Sequence, residues 1–377
     1  MKTVEAIYIH IPFCLRKCHY CDFLSFPCLE QADHYLDMME MEMSQVERNY
    51  RIYPKTIFVG GGTPTCLSEK QLERLLSVIQ KYFRKDTLLE YTMEANPGTV
   101  SAEKFRLMRE YGVNRLSLGV QNDQEKFLQT LGRIHSFQEA GEAVQLARSA
   151  GFSNISLDFM YGLPGQNVSD WEQTLHNALA LKPEHLSLYQ LKIEENTKFG
   201  KWLDEGKICE FDDAVALEMY RKGQEILHKA GFHQYEISNY ARDGRESLHN
   251  QVYWRTDDYL GIGLGACSWI RPERWNNVFS IKEYEELLQA GKTPKQEPEV
   301  LTESEQMEET VFMALRMNRG VSKKVFFDRF GKTMEEVFPK ALEKCFSMGW
   351  IAEDGERIYL TEDGRVLGNL VFLEFML

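Results

Sequence analysis

Through residues 1–195, short apolar runs with strand spacing alternate with longer runs of helical spacing, and few folds accept such a chain. The opening "MKTVEAIYIHIPF" alternates like a strand. Over 30–50, Leu36, Met39, Met43 and Val46 recur at spacings of three and four, which marks one face of a helix. "KTIFVGGG" (55–62) reads as a buried strand that runs into glycines, and Ser68 caps a helix over 68–83. Strands are expected at 88–98, 113–121, 154–166 and 184–193, with helices over 101–112, 136–151 and 168–183 between them. Strand and helix in strict alternation mean βαβ crossovers and a parallel sheet. About six βα units fit before residue 195, short of the eight that close a full barrel, so the expectation is an α/β partial (β/α)6 barrel. In such a fold the functional groups lie at the C-terminal ends of the strands.

Beyond 195 the pattern changes. A long helix is expected over 211–231, followed by an aromatic- and glycine-rich stretch at 248–276. We divide the chain into the barrel (1–195), a barrel extension (196–290), a polar linker (291–304, "GKTPKQEPEVLTES") and a C-terminal domain (305–377) that reads as a winged helix with a short hairpin wing. The wing is acidic and no basic recognition helix is evident, so the module is expected to be a packing or lid domain rather than a DNA reader.

Charge points the same way. Forty-four basic against fifty-seven acidic residues give a net charge of −13, which disfavours nucleic acid and anionic membrane surfaces as partners. No apolar run approaches the roughly 18 residues of a membrane span. The N-terminus lacks the long apolar segment and small-residue cleavage site of a signal peptide. The expectation is a cytoplasmic protein that is not integral to a membrane.

Eight cysteines in 377 residues do not make a disulfide scaffold. Cys28, Cys66, Cys209, Cys267 and Cys345 are scattered and read as ordinary packed or surface thiols. Cys14, Cys18 and Cys21 are not scattered: in "HIPFCLRKCHYCDF" they lie three and then two residues apart, directly after the first strand. A structural zinc site needs four ligands, and no second pair with zinc spacing exists here. An iron–sulfur cluster normally takes four thiolates. With three, one iron is left open to a substrate or cofactor, as one position of a catalytic zinc is. "GGGTPT" (60–65) ends the second strand with backbone bare for a ligand to approach, and no GK[ST] follows to make it a phosphate loop. Glu94, Gln121 and Asp158 each end an expected strand, and Arg133 in "LGRIH" could pair with a carboxylate.

CxxxCxxC after a first strand resembles the radical S-adenosylmethionine (SAM) family. That resemblance implies a 4Fe–4S cluster on Cys14, Cys18 and Cys21, with the amino and carboxylate groups of SAM as the fourth ligand. An electron passed to the sulfonium would then break a C–S bond, giving methionine and a 5′-deoxyadenosyl radical. It also agrees with a partial radical-SAM barrel. "YIHIPFC", "GGGTPT", "SLGVQ", "LGRIH" and "DFMYGLPGQ" resemble, across essentially the whole chain, the family of oxygen-independent coproporphyrinogen III dehydrogenase and its heme chaperone relatives. Carried over by position, the resemblance places Tyr8 near the SAM on the cluster side and Tyr20 against the adenine. Gly61, Gly62, Thr63 and Glu94 fall around one SAM, and Gln121, Arg133 and Asp158 line the outer part of the ligand cleft.

Within that family the dehydrogenases carry a fourth cysteine two residues after the third, where this chain has Phe23, and an N-terminal extension, whereas here the first strand begins almost at Met1. "HNQVYW" (249–254) resembles the HNxxY motif of the chaperone type, which implies heme binding through His249 with Tyr253 nearby. A neutral imidazole is a good axial ligand for heme iron. Tyr253, Trp254, Tyr259 and Trp269 could give flat apolar surface for a porphyrin, while His10, His19 and His135 are weaker ligand candidates. The expected function is heme binding and transfer to an acceptor protein, which by charge would be basic or membrane-associated. Oxidative decarboxylation of coproporphyrinogen III, or another radical-SAM reaction on a tetrapyrrole or a different substrate, are the enzymatic alternatives.

Overall fold

The computed structural model describes residues 1–83 and 86–376. Six parallel strands run through the first half in sequence order: β1 (Thr3–Ile11), β2 (Arg51–Gly61), β3 (Glu90–Ala95), β4 (Arg115–Gln121), β5 (Ile155–Tyr161) and β6 (His185–Gln190). Each lies beside its predecessor. The crossovers are helical: α1 (Ala32–Asn49), α2 (Glu69–Tyr82), α3 (Ala102–Glu110), α4 (Glu125–Leu131) with α5 (Phe137–Ser149), and α6 (Val168–Ala180). Several are delimited by local chemistry. Ser68, Ser136 and Asn167 form capping boxes at the starts of α2, α5 and α6.

Period-two alternation sorts each strand into two faces. Ile7, Ile9, Val59, Met93, Leu118, Leu157 and Leu186 join Leu36, Met39 and Leu75 of the helices in one large core. The intervening residues line the concave face and are mostly polar: Tyr8, His10, Thr56, Glu90, Glu94, Ser117, Asp158 and His185. A polar lining that bonds to itself, as Ser117 does to Asp158 at 2.9 Å, is the mark of a working interior rather than a packed one.

The extension does not stand apart from the barrel. After α7 (Lys198–Asp204) and α8 (Asp213–Lys229), β7 (His233–Gln234) and β8 (Asn239–Ala241) add antiparallel strands beyond β6. Then α9 (Leu248–Trp254) crosses toward the concave side, and β9 (Leu260–Ile262) pairs parallel with β1 at the other edge. A small sheet of β10 (Cys267–Ile270), β11 (Glu273–Asn276) and β12 (Glu299–Val300) follows, with α10 (Ile281–Gln289) between its second and third strands. The segment 291–304, expected as a polar linker, is held at several points. Its β12 pairs with β11, Val278 N–H donates to Pro294 O at 2.9 Å, and Leu301 N–H donates to Pro272 O at 3.0 Å. Prolines and charges there mark an irregular edge segment, not a loose one.

The C-terminal module has its own core around Val311, Phe326, Leu342 and Ile358. It is built from α11 (Glu303–Leu315), β13 (Val321–Ser322), α12 (Lys323–Phe330), α13 (Met334–Val337), α14 (Pro339–Ser347), β14 (Ile351–Glu353), β15 (Arg357–Leu360), α15 (Glu362–Val366) and α16 (Gly368–Glu374). The β14–β15 hairpin is the wing, and β13 completes its sheet. Among the described residues, no helix is long and apolar enough to cross a membrane.

Candidate functional site: a thiol-lined cleft and an aromatic cavity

At the C-terminal ends of the strands a cavity of about 370 Å3 opens, and Cys14, Cys18 and Cys21 form part of its wall. Their loop leaves β1 and is anchored at several points. Cys14 N–H donates to Phe26 O at 3.1 Å, His19 N–H to Leu131 O at 2.9 Å, and Phe199 N–H to the His19 carbonyl at 2.9 Å. Burial raises the Cys14 thiol above its ordinary value and pushes Cys21 up to about 11. These thiols therefore ask for a cation. Among the described residues, no three His, Cys, Asp or Glu side chains converge on a point that would hold a single metal ion. Cys14, Cys18 and Cys21 share one wall of the cavity, and thiolate sulfur is the usual ligand of an iron–sulfur cluster.

Opposite the loop, Gly61, Gly62 and Thr63 pass beneath it. A Cβ on Gly62 would lie 2.5 Å from the Phe13 carbonyl oxygen, so only glycine fits. Thr63 Oγ1 is 3.6 Å from Cys14 Sγ. Glu94 accepts the Gly61 N–H at 3.0 Å. Burial, then the neighbouring Asp158, pushes its carboxyl up to about 7. Burial likewise raises Asp158, which Ser117 and Ser156 hold at 2.9 and 3.2 Å. Gln121 ends β4 at φ 71°, where the register against β5 slips. A non-glycine residue held there is strained, and its side chain is turned into the cleft wall. Arg133, expected to meet a carboxylate, instead donates to Gly119 O at 2.5 Å and to Cys18 Sγ at 3.4 Å. Tyr20 completes the group beside the cysteines. The same wall carries Asn96, Ser117 and Tyr189, which the sequence reading did not select. Tyr189 sits at the end of β6, so the strand-end rule that picked Asp158 would also have found it.

Tyr8, His249 and Tyr253 are not part of this cleft. Tyr8 and Tyr253 line a second cavity of about 340 Å3 together with Trp254, Tyr259 and Trp269, so the four aromatics grouped from the sequence do converge. The Tyr8 hydroxyl donates to His10 Nδ1 at 3.0 Å, and His10 Nε2–H donates to Leu24 O at 2.9 Å. Tyr8 thus stands between the two cavities: it lines the aromatic one, and its partner His10 packs against Gly61 of the cleft, where a Cβ would lie 2.5 Å from the His10 ring.

His249 needs a correction as well. It is fully buried, its ring stacks on Phe58 at 5.3 Å, and Thr56 Oγ1 (2.8 Å) and Tyr253 Oη (2.9 Å) occupy its two nitrogens. No ring nitrogen is left for iron. The motif is held by a partner far away in sequence: the Glu90 carboxylate accepts Leu248 N–H at 2.7 Å and His249 N–H at 3.1 Å. An anion on the first N–H groups of a helix is a favourable arrangement. Of the other candidate imidazoles, His19 has both nitrogens engaged, with Thr130 O at 2.9 Å and Lys198 Nζ at 3.0 Å, whereas His135 bonds Val120 O at 3.1 Å through Nε2 and its buried Nδ1 has no partner among the described residues.

Comparison with known proteins agrees with this geometry. Residues 8–178 match the radical SAM superfamily, and residues 301–367 match the HemN C-terminal domain. The chain is 40% identical over 376 residues to the heme chaperone HemW of Bacillus subtilis, covering 99% of each. It is 34% identical to the heme chaperone HemW of Escherichia coli, covering 98% of each. Coproporphyrinogen III oxidase (HemN) of Escherichia coli, described as a radical SAM enzyme, shares the fold with a TM-score of 0.86 over 100% of this chain and 90% of its own, at 23% identity.

Proposed function

The chain belongs to the heme chaperone HemW family, within the radical SAM superfamily, and from that premise we propose that it binds heme and passes it to an acceptor protein. The end-to-end likeness to HemW, 99% of each chain aligned, carries this reading. Phe23 supports it from the site: it stands at the cleft, 65% exposed, where the resembling dehydrogenases have a cysteine.

The radical SAM fold implies a 4Fe–4S cluster and SAM, and the residues present fit both. Cys14, Cys18 and Cys21 would hold the cluster. When bound, cluster and SAM supply one-electron chemistry at the sulfonium. Gly61, Gly62 and Thr63 offer bare backbone on which the methionine end can rest. Glu94 presents its second carboxylate oxygen to an amino group, and Gln121 and Asp158 offer polar atoms to a ribose. Arg133 sets a positive charge beside Cys18, on the wall where the cluster would sit. Tyr20 shields that wall from water. Anaerobic reconstitution should load about four irons and four sulfides. Changing Cys14, Cys18 and Cys21 together to Ala should abolish them, whereas Cys28→Ala should not. Full iron in the triple variant would end the assignment.

A net charge of −13 suits an acceptor with a basic face, in the cytoplasm or at its membrane. The reconstituted full chain should bind heme saturably, and its transfer to a basic apo-hemoprotein should slow as salt is raised. With SAM and a reductant it should leave coproporphyrinogen III unchanged. Porphyrinogen turnover without heme binding would replace the chaperone by the oxidase.

A further inference from the structure

Behind Asp158 lies a run of buried polar groups to which nothing above gives a task. Ser156 and Asp158 of β5 stand on the same face of the sheet as their register partners His185 and Ser187 of β6. His185 is wholly buried, and Tyr235, between β7 and β8, is buried beside it. Burial, then the positive charge of Arg115, holds the His185 imidazole well below its ordinary pKa, so the ring is neutral and carries one proton.

The hydrogen bonds place that proton and give the run a direction. Ser247 N–H donates to Tyr235 Oη at 3.2 Å. The phenol's own buried hydrogen then goes to its other neighbour, His185 Nε2 at 2.8 Å. Nε2 is the acceptor, so the imidazole proton sits on Nδ1. Nδ1–H donates to Ser156 Oγ at 2.8 Å, and Ser156 gives its own hydrogen to Asp158 Oδ1 at 3.2 Å. The alternative acceptor of that hydrogen, Ser187 Oγ at 3.4 Å, is farther away and uncharged. Ser117 donates to the second oxygen, Oδ2, at 2.9 Å. Every donor in the series points toward Asp158. Burial raises its carboxyl, and Ser187, Ser117, Arg115 and Ser156 pull against that rise. A carboxylate that takes two hydroxyls from the sheet has only lone pairs to offer the cleft that it lines. Such a face accepts donors, and the two adjacent hydroxyls of a ribose are donors.

We propose that Tyr235, His185 and Ser156 form a directed relay of hydrogen bonds that fixes Asp158 as an acceptor for the ribose diol of SAM, with His185 as a positioning residue. The inference rests on the SAM reading of the cleft. No proton is transferred along the relay; it sets the direction of the Ser156 hydroxyl and through it the orientation of Asp158. Without the Nδ1–H, the Ser156 hydrogen is free to turn to Ser187, and the carboxylate loses a fixed donor.

The test is SAM binding to the cluster-loaded full chain, measured by calorimetry beside the 2′,3′-dideoxy analogue of SAM, with the iron content of each variant as a check on the cluster. Wild type should bind SAM about tenfold more tightly than the analogue. His185→Leu should weaken SAM by nearly that factor while leaving the analogue's affinity unchanged. Tyr235→Phe, which removes a single oxygen, should act in the same sense and to a smaller extent. His185→Asn, which can keep an N–H near the place of Nδ1, should restore the preference. If wild type binds no SAM, the reading of the cleft fails. If wild type binds SAM but does not prefer it to the analogue, or if His185→Leu and Tyr235→Phe weaken both ligands equally or neither, the relay is a packing device of the barrel and this inference alone is overturned.

Discussion

A histidine in a motif tied to heme invites the assumption that its nitrogen meets the metal, and the burial of His249 argues otherwise. Removal from water, then the positive charge of Arg115, pushes its pKa down to about 3, so the folded ring is neutral. The sign of the consequence follows from linkage. An unfolded histidine takes a proton below about 6.5, while the folded one does not until about 3, so stability from this residue is complete above 6.5 and drains away as pH falls through that window. Between pH 8 and 5 the loss is about 2 kcal/mol. His249→Gln cannot titrate but keeps a donor for Tyr253 and an acceptor for Thr56. Urea unfolding of both proteins should therefore show the stability gap between wild type and variant narrowing by about that amount from pH 8 to pH 5. A gap that does not change with pH would mean that the ring is protonated or exposed in the folded state.

At the scale of elements, what the sequence made legible is what local rules govern. Period-two and period-3.6 spacing placed all six parallel strands and most of the crossover helices, and with them the strand ends that carry Glu94, Gln121 and Asp158 into one cleft. The cysteine loop was legible because its three thiols are neighbours in sequence. The short helices α4 and α7 went unseen, since seven residues hold too few turns to show a periodic face. What stayed hidden has its cause far along the chain. Glu90 begins β3 as an unremarked acid, yet it caps a helix 158 positions later, between Ser247 and His249. Arg133 finds a thiol 115 residues away in place of the expected carboxylate. The occupied nitrogens of His249 depend on Thr56, 193 residues earlier. No window of sequence contains such pairs. The composition of α9 announces a histidine and a tyrosine but not which of them faces out.

On the scale of the whole molecule, the aromatic cavity lies in the seam between barrel and C-terminal module, because Glu309 and Met313 of α11 form its far side. What holds that seam therefore bears on how open the cavity is. Arg329 of α12 is its central tie. Its guanidinium donates to Thr256 Oγ1 at 2.6 Å and to the Arg255 carbonyl at 3.3 Å, just beyond the end of α9, and lies 3.4 Å from Asp257. Asn318 adds N–H to Tyr235 O at 3.0 Å, and Arg319 reaches Gln251 at 3.1 Å. Each module has its own core, so breaking one tie should loosen the joint without unfolding either half. Arg329→Ala strips donors from a carbonyl and a buried threonine, a cost of about 1–3 kcal/mol. Hydrogen exchange should then rise in α9 and α11 while the cores of β1–β6 stay protected and the cluster content is unchanged. Unaltered exchange in both helices would show that the seam is held by its apolar contacts, and that the module is no lid over the cavity.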